Sequence, residues 1–252
     1  MEKEQQEKFE SYAYNYVASE DFDYVISVYD IKEILPNLCG KVFLILGESA
    51  GNITQLLYQR ANKIDIVEAS LLAINRTNSR LQDKKKIISY YQSLWLEFTT
   101  ATKYTDIIFI RGLEHEPNSI ELLNRLRNNL AENGKLHIIV PNAYSLHRRL
   151  LLLRKKISSI HALRQRDLEI GHVKFYDKNI LTHELAQSGY NIDFCHGFFL
   201  KPFQNSSMKK FSMNRKNLLY KALYYLGKIF PNWGTQLYCL ASQNKNYRTS
   251  ID

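Results

Sequence analysis

Gly47, Gly51 and Glu68 fall within one stretch, VFLILGESAGNITQLLYQRANKIDIVE, residues 42–68. Glycines let a backbone approach a ligand closely, and one ionised carboxylate can accept hydrogen bonds from two neighbouring ribose hydroxyls. Together these residues could bind a nucleoside-containing cofactor. Further along, Glu114 and His115 stand side by side in LEHE. An imidazole has an unperturbed pKa of about 6.5, so His115 is the candidate general base for a proton transfer at neutral pH. Glu114 has three readings: an orienter of that base, a metal ligand, or a carboxylate at a helix N-terminus. No further acid cluster accompanies the pair, and the sequence predicts no metal site. Cys39, Cys195 and Cys239 are odd in number and far apart, which argues against a disulfide framework or a zinc site.

The elements that must position these groups alternate. Val42–Leu46 reads as a buried strand, and Ile53, Leu56, Leu57 and Ala61 recur at helical spacing. Ile64–Val67 is a second strand with Glu68 at its tip. A helix over 70–82, a strand at 87–91 and a strand at 107–110 follow, with a solvated charge run at Lys84–Lys86. Ser119–Leu130 is an amphipathic helix that Asn133-Gly134 should end, and Leu136–Val140 a fifth strand halted by Pro141. Strands alternating with helices argue for a parallel α/β sheet whose ligand lies beyond the carboxyl ends of the strands. Before this core, residues 1–38 read as helical, breaking near Ser19–Asp21 and stopping at Pro36. After it, Leu146, Leu150, Leu153 and Ile157 line one face of a basic helix over 145–157. Asp177 starts another helix, Gly189 ends it, and strands at 190–199 and 235–242 flank a helix over 217–230. The tail NKNYRTSID is expected to be mobile.

The turn LGESAGN is not G-x-G-x-x-G, and no P-loop is present. It resembles instead the first motif of class I S-adenosylmethionine (AdoMet) methyltransferases, roughly acid-x-G-x-G-x-G, followed by a second strand ending in Asp or Glu. Ile45 stands where that family usually has an acid, and Ser49 where it has the middle glycine. The block LEH, helix, NGKL, PNAYSLHRR is similar to the ubiquinone-biosynthesis-type and bacterial sugar or surface-glycan O-methyltransferases. The resemblance implies a Rossmann-like, seven-stranded, mostly parallel sheet with its last two strands antiparallel, helices on both faces, N-terminal helices and a basic helical cap. It divides the chain into 1–38 over the cofactor, 39–143 as the AdoMet-binding core, and 144–252 as cap, substrate helices and last two strands.

The same resemblance implies cofactor contacts at Gly47, Glu48, Gly51, Glu68 and Ala69. Ser93, Leu94 and Trp95 would meet the adenine, and Arg111 and Gly112 would follow the fourth strand; Trp95 as a core aromatic is the other reading. Phe9, Ala13 and Tyr16 match a helix that folds over the cofactor in similar enzymes, which makes Tyr16 a contact. His115 becomes the base, and Asn142, Arg148, His172 and Tyr176 the acceptor pocket. His137, inside an apolar strand, is read as a core group.

Residues 144–228 hold 16 Lys and Arg against 5 Asp and Glu, in a chain of net charge +9. A solvated surface, an anionic small molecule, a nucleic acid or an acidic membrane surface would each fit that excess. No apolar run approaches the roughly 18 residues of a membrane span, and MEKEQQEKFE is no signal peptide, so a cytoplasmic protein is expected. The leading expectation is O-methylation of a small anionic or nucleotide- or sugar-linked acceptor, such as a surface-polysaccharide precursor. A nucleic-acid methyltransferase using 144–228 and a non-catalytic methyltransferase-like module are the alternatives.

Overall fold

The structure is a computed structural model in which residues 3–16, 20–82, 87–203, 208 and 218–247 are described. Lys84–Lys86 and the last five residues of the chain lie outside them. Two helices, α1 (Lys3–Tyr16) and α2 (Glu20–Ile34), precede the first strand, and a short turn carrying Pro36 ends α2. Then β1 (Val42–Leu46), α3 (Asn52–Leu57), β2 (Lys63–Glu68), α4 (Leu71–Arg80), β3 (Ile88–Gln92) and β4 (Tyr104–Ile110) alternate. They are followed by α5 (Ser119–Asn129), β5 (Leu130–Pro141), α6 (Leu146–Leu153), α7 (Gln165–Glu169) and α8 (Lys178–Gln187). Finally come β6 (Tyr190–Phe198), α9 (Leu218–Ile229) and β7 (Gln236–Gln243).

The seven strands form one sheet in the order β3-β2-β1-β4-β5-β7-β6. The first five are parallel, and β7 runs antiparallel to both β5 and β6. This is the expected Rossmann-like architecture. Within β1 successive side chains serve opposite layers: Phe43 and Ile45 pack with α2 and α3, Leu44 and Leu46 with α5 and α8. Both faces are covered, so the strands read as apolar runs without alternation. Ile45 is fully buried against Ile66 and Ile108. Each such side chain contributes about 1.5–3 kcal/mol by leaving water.

Three local readings change. Helix α5 stops at Asn129, before Asn133-Gly134: Leu130 is already extended and buried, and Asn133 takes a positive φ of 59° inside the irregular start of β5. Helix α6 ends at Leu153, which is 80% exposed, and its buried face is Arg148 and Leu151. Arg148 turns inward because its guanidinium donates to the carbonyls of Ile160 and Ala162, at 2.9 and 2.7 Å, and stacks on Phe175. The tail is docked as far as Tyr247, whose hydroxyl donates to the Gln187 carbonyl at 2.6 Å while Arg127 covers its ring.

The parallel strands β1, β2, β3, β4 and β5 end on one side of the sheet, at Leu46, Glu68, Gln92, Ile110 and Pro141. In open α/β sheets this edge is where ligands bind.

Candidate functional site

A cavity of about 1190 Å³ opens at that edge. Its first wall is the turn after β1. Gly47 takes a φ of +74°, a conformation costly for any residue with a Cβ, and an added Cβ would lie 3.1 Å from the Trp95 ring. Ser49 lines the cavity beside it. Gly51 has the same φ and sets the start of α3, but it faces Thr77 and lies outside the lining. Glu48 departs from its expected role. Its buried carboxylate accepts the Thr54 backbone N–H at 2.8 Å and the Thr54 hydroxyl at 3.0 Å, so it ties down α3 behind the turn.

The second wall is the tip of β2. Glu68 and Ala69 line the cavity. Glu68 accepts backbone N–H groups from Ser70, at 2.8 Å, and from Ala69. A carboxylate has about four lone-pair directions, so two remain for a ligand. Burial pushes the Glu68 carboxyl up to about 7, against those two hydrogen bonds, with Glu48 and Glu10 adding repulsion. Leu94 and Trp95 complete an apolar side, the indole packed edge-on to Phe109 at 4.9 Å. Ser93 and Gly112 are supporting positions. The Ser93 N–H donates to the Glu68 carbonyl, and a Cβ at Gly112 would collide with the Phe109 ring at 2.0 Å.

Helix α1 lies over this wall, presenting Phe9, Tyr12 and Ala13 to the cavity. Tyr16 closes the helix, and its side chain lies outside the described residues. What fastens α1 is Glu10, a residue that apolar spacing does not pick out. Its carboxylate accepts from the Ser70 hydroxyl and the Leu71 N–H, both at 2.7 Å, and from the Leu72 N–H at 3.1 Å. An acid at the N-terminus of α4 complements unpaired donors there.

The third wall follows β4. Arg111, at a φ of +51°, lines the cavity while its guanidinium donates to Asp30 and Ser27. The next residues, Leu113–His115, form a 3-10 turn. The Val173 N–H donates to the Glu114 carbonyl at 2.9 Å, and this bond brings His172 against the turn. The His115 and His172 rings meet edge-to-face at 4.7 Å. Glu114 is 1% exposed, and neither of its carboxylate oxygens has a hydrogen-bond partner. His172 Nδ1 is also buried without a partner. Burial pushes Glu114 up to about 8, His115 down to about 4 and His172 down to about 3. The His115 ring donates a hydrogen bond to the Gly171 carbonyl. Near neutral pH both imidazoles are therefore uncharged.

Among the described residues, Glu114, His115 and His172 also place ligand-type atoms within 4.8 Å of one another. Two imidazoles and one carboxylate suit a divalent transition metal. The sequence showed only the adjacent pair, because His172 arrives from 57 residues away.

Asn142 and Arg148 line the cavity, but their polar ends serve the fold: the Asn142 amide donates to the Gly234 carbonyl, and Arg148 holds the 160–162 loop. Tyr176 does not reach the cavity. It is fully buried, donates to Glu184 at 2.7 Å, and burial with that neighbour pushes its ionisation far up. His137 is a core group bonded to Asp106 and Tyr238. Lys8, His147, Arg164, Arg166 and Lys201 are wall residues that motif reading missed.

Residues 31–193 match the family described as Methyltransferase domain. None of the curated proteins matches the sequence. Among solved structures, the chain is similar to N-methyltransferase NodS from Bradyrhizobium japonicum WM9 in complex with S-adenosyl-L-homocysteine, with a TM-score of 0.56 and 12% identity over 89% of this chain and 88% of that one. It is similar to the glycopeptide N-methyltransferase MtfA complexed with AdoMet, at 0.56 and 12% over 86% of each chain. A methyltransferase in complex with the Haloferax volcanii Trm112 activator gives 0.65 and 10% over 97% of this chain and 99% of that one. At such identities the likeness is one of fold.

Proposed function

The chain belongs to the methyltransferase-domain family, whose methyl donor is AdoMet, and from that premise we propose that it methylates an oxygen of a small anionic or nucleotide- or sugar-linked acceptor, such as a surface-polysaccharide precursor. The observation that carries the proposal is the shared cavity, which Gly47 and Glu68 line together with Glu114, His115 and His172.

When bound, AdoMet supplies an electrophilic methyl group on a sulfonium. The chain's own part is to hold and to deprotonate. Gly47 leaves room for close backbone approach, Glu68 offers its two remaining lone-pair directions to ribose hydroxyls, and Leu94 and Trp95 give the adenine an apolar wall. Neutral His115 accepts the proton of the acceptor hydroxyl, its ring oriented by the hydrogen bond it donates to the Gly171 carbonyl. The cavity is lined by Lys8, Arg111, Arg148, Arg164, Arg166 and Lys201 and by Glu68, Glu114, Glu116, Asp167 and Glu169. Burial pushes Glu114 toward its neutral form, so the wall leans basic, which favours an anionic acceptor.

A donor held by ionised Glu68 must bind more weakly in acid. Because burial pushes the carboxyl up to about 7, protonation below that pH removes an acceptor of hydrogen bonds. AdoMet Kd should therefore rise up to about tenfold per pH unit below 7 and level off above 8. Calorimetry from pH 5.5 to 8.5 checks this; a flat profile removes Glu68 ionisation from binding.

The orphaned Glu114 oxygens favour a second reading, in which Glu114, His115 and His172 would hold a divalent cation, and the cation would supply Lewis-acid activation of the acceptor. Chelation separates the two. The metal reading expects EDTA to abolish turnover and Mn²⁺ or Zn²⁺ to restore it; the base reading expects no effect. The acceptor itself is found by incubating the protein with methyl-labelled AdoMet and a panel of nucleotide sugars and glycan intermediates. Label on an oxygen supports the proposal, and label on an amine or on RNA contradicts it.

A further inference from the structure

Helix α9 lies between β6 and β7, and none of its residues lines the cavity. Its inner face, Tyr220, Leu223, Tyr224 and Gly227, packs on α2 and the sheet. At 100° per residue, Leu218, Ala222, Tyr225, Leu226 and Ile229 fall on the opposite face. That face is apolar too, and it points outward: Leu218 is 80% exposed, Ile229 66% and Tyr225 54%. Phe230 and Trp233 continue it, stacked on each other at 5.8 Å and both exposed. A helix apolar on both sides belongs in a core or against something else, and a contiguous exposed apolar surface marks an interaction site.

The charge beside this surface is of one sign. Lys221 and Lys228 flank the outward stripe, and Lys32 of α2 donates to the Tyr225 hydroxyl at 3.2 Å. Residues 218–233 contain Lys221 and Lys228 and no Asp or Glu. The acids packed nearest, Asp30 and Glu33, are buried, and Glu33 is tied to Lys228, His196 and Tyr224. Exposed leucine, isoleucine and aromatic side chains with flanking lysines suit the boundary between lipid headgroups and acyl chains. No helix among the described residues is long and apolar enough to cross a membrane, so the contact would be from one side.

We propose that the outward face of α9, with Phe230 and Trp233, docks the protein onto an anionic lipid surface. This goes beyond methyl transfer and does not depend on it. The test is co-sedimentation of the full chain with vesicles of phosphatidylcholine containing about one third phosphatidylglycerol, compared with pure phosphatidylcholine. Binding to the anionic vesicles that weakens with salt is expected. The variant I229E should lower the partition coefficient about tenfold or more, and K221E by a few-fold, with unchanged thermal melting because both sites are exposed. Absence of binding to anionic vesicles at low salt overturns the proposal. So does equal binding of I229E, or a stable dimer without lipid that I229E dissociates, which would assign the face to a second copy of the chain.

Discussion

Replacing His115 with alanine should lower turnover by about two to four orders of magnitude, the range for loss of a general base, and leave AdoMet affinity within about twofold. His115 lines the cavity from the turn after β4 and Glu68 from the tip of β2, and burial keeps the imidazole neutral down to about pH 4, so its lone pair is present throughout the physiological range. The comparison that matters is kcat against donor Kd. A fall in kcat alone places His115 in the chemical step; near-normal turnover removes it. The metal reading predicts the same loss for His115→Ala, but it adds an equal loss for His172→Ala and a chelator-sensitive wild type. The base reading gives His172→Ala a smaller effect, through the packing of the two rings.

The second large effect belongs to Glu68. Hydrogen bonds to a charged group contribute about 1.5–3 kcal/mol each, so losing two of them in Glu68→Ala should cost about 3 kcal/mol or more, on the order of 100-fold in AdoMet affinity. Glu68→Gln keeps a carbonyl acceptor and should fall between. The Ser70 and Ala69 N–H groups lose an acceptor as well, so a melting curve of each variant separates weakened binding from a loosened turn. An unaltered Kd in Glu68→Ala would mean that the carboxylate does not hold the donor.

The sheet was legible because parallel strands covered on both faces must be apolar throughout. VFLIL and IDIV say as much without any alternation, and Ser70 and Asp177 mark their helices by capping them, accepting from Ala73 and Ile180. Spacing within one element also brought out Gly47, Glu68 and the Glu114–His115 pair. Contacts between distant segments were not legible. His172 joins the pair through one hydrogen bond from Val173, Glu10 reaches the start of α4 across 60 residues, and Arg148 turns inward for two loop carbonyls. Glu48 has the right neighbours for a ligand contact, yet it is spent on Thr54. The apolar stripes of α9 look alike in sequence, and packing alone tells the buried one from the exposed one.

The most direct measurement is calorimetric titration of the purified protein with S-adenosylhomocysteine at pH 8, where Glu68 is ionised. A donor site built from the Gly47 turn and the tip of β2 predicts one ligand per chain, bound with a Kd on the order of micromolar. No heat of binding at millimolar ligand would contradict it and leave the fold without its cofactor.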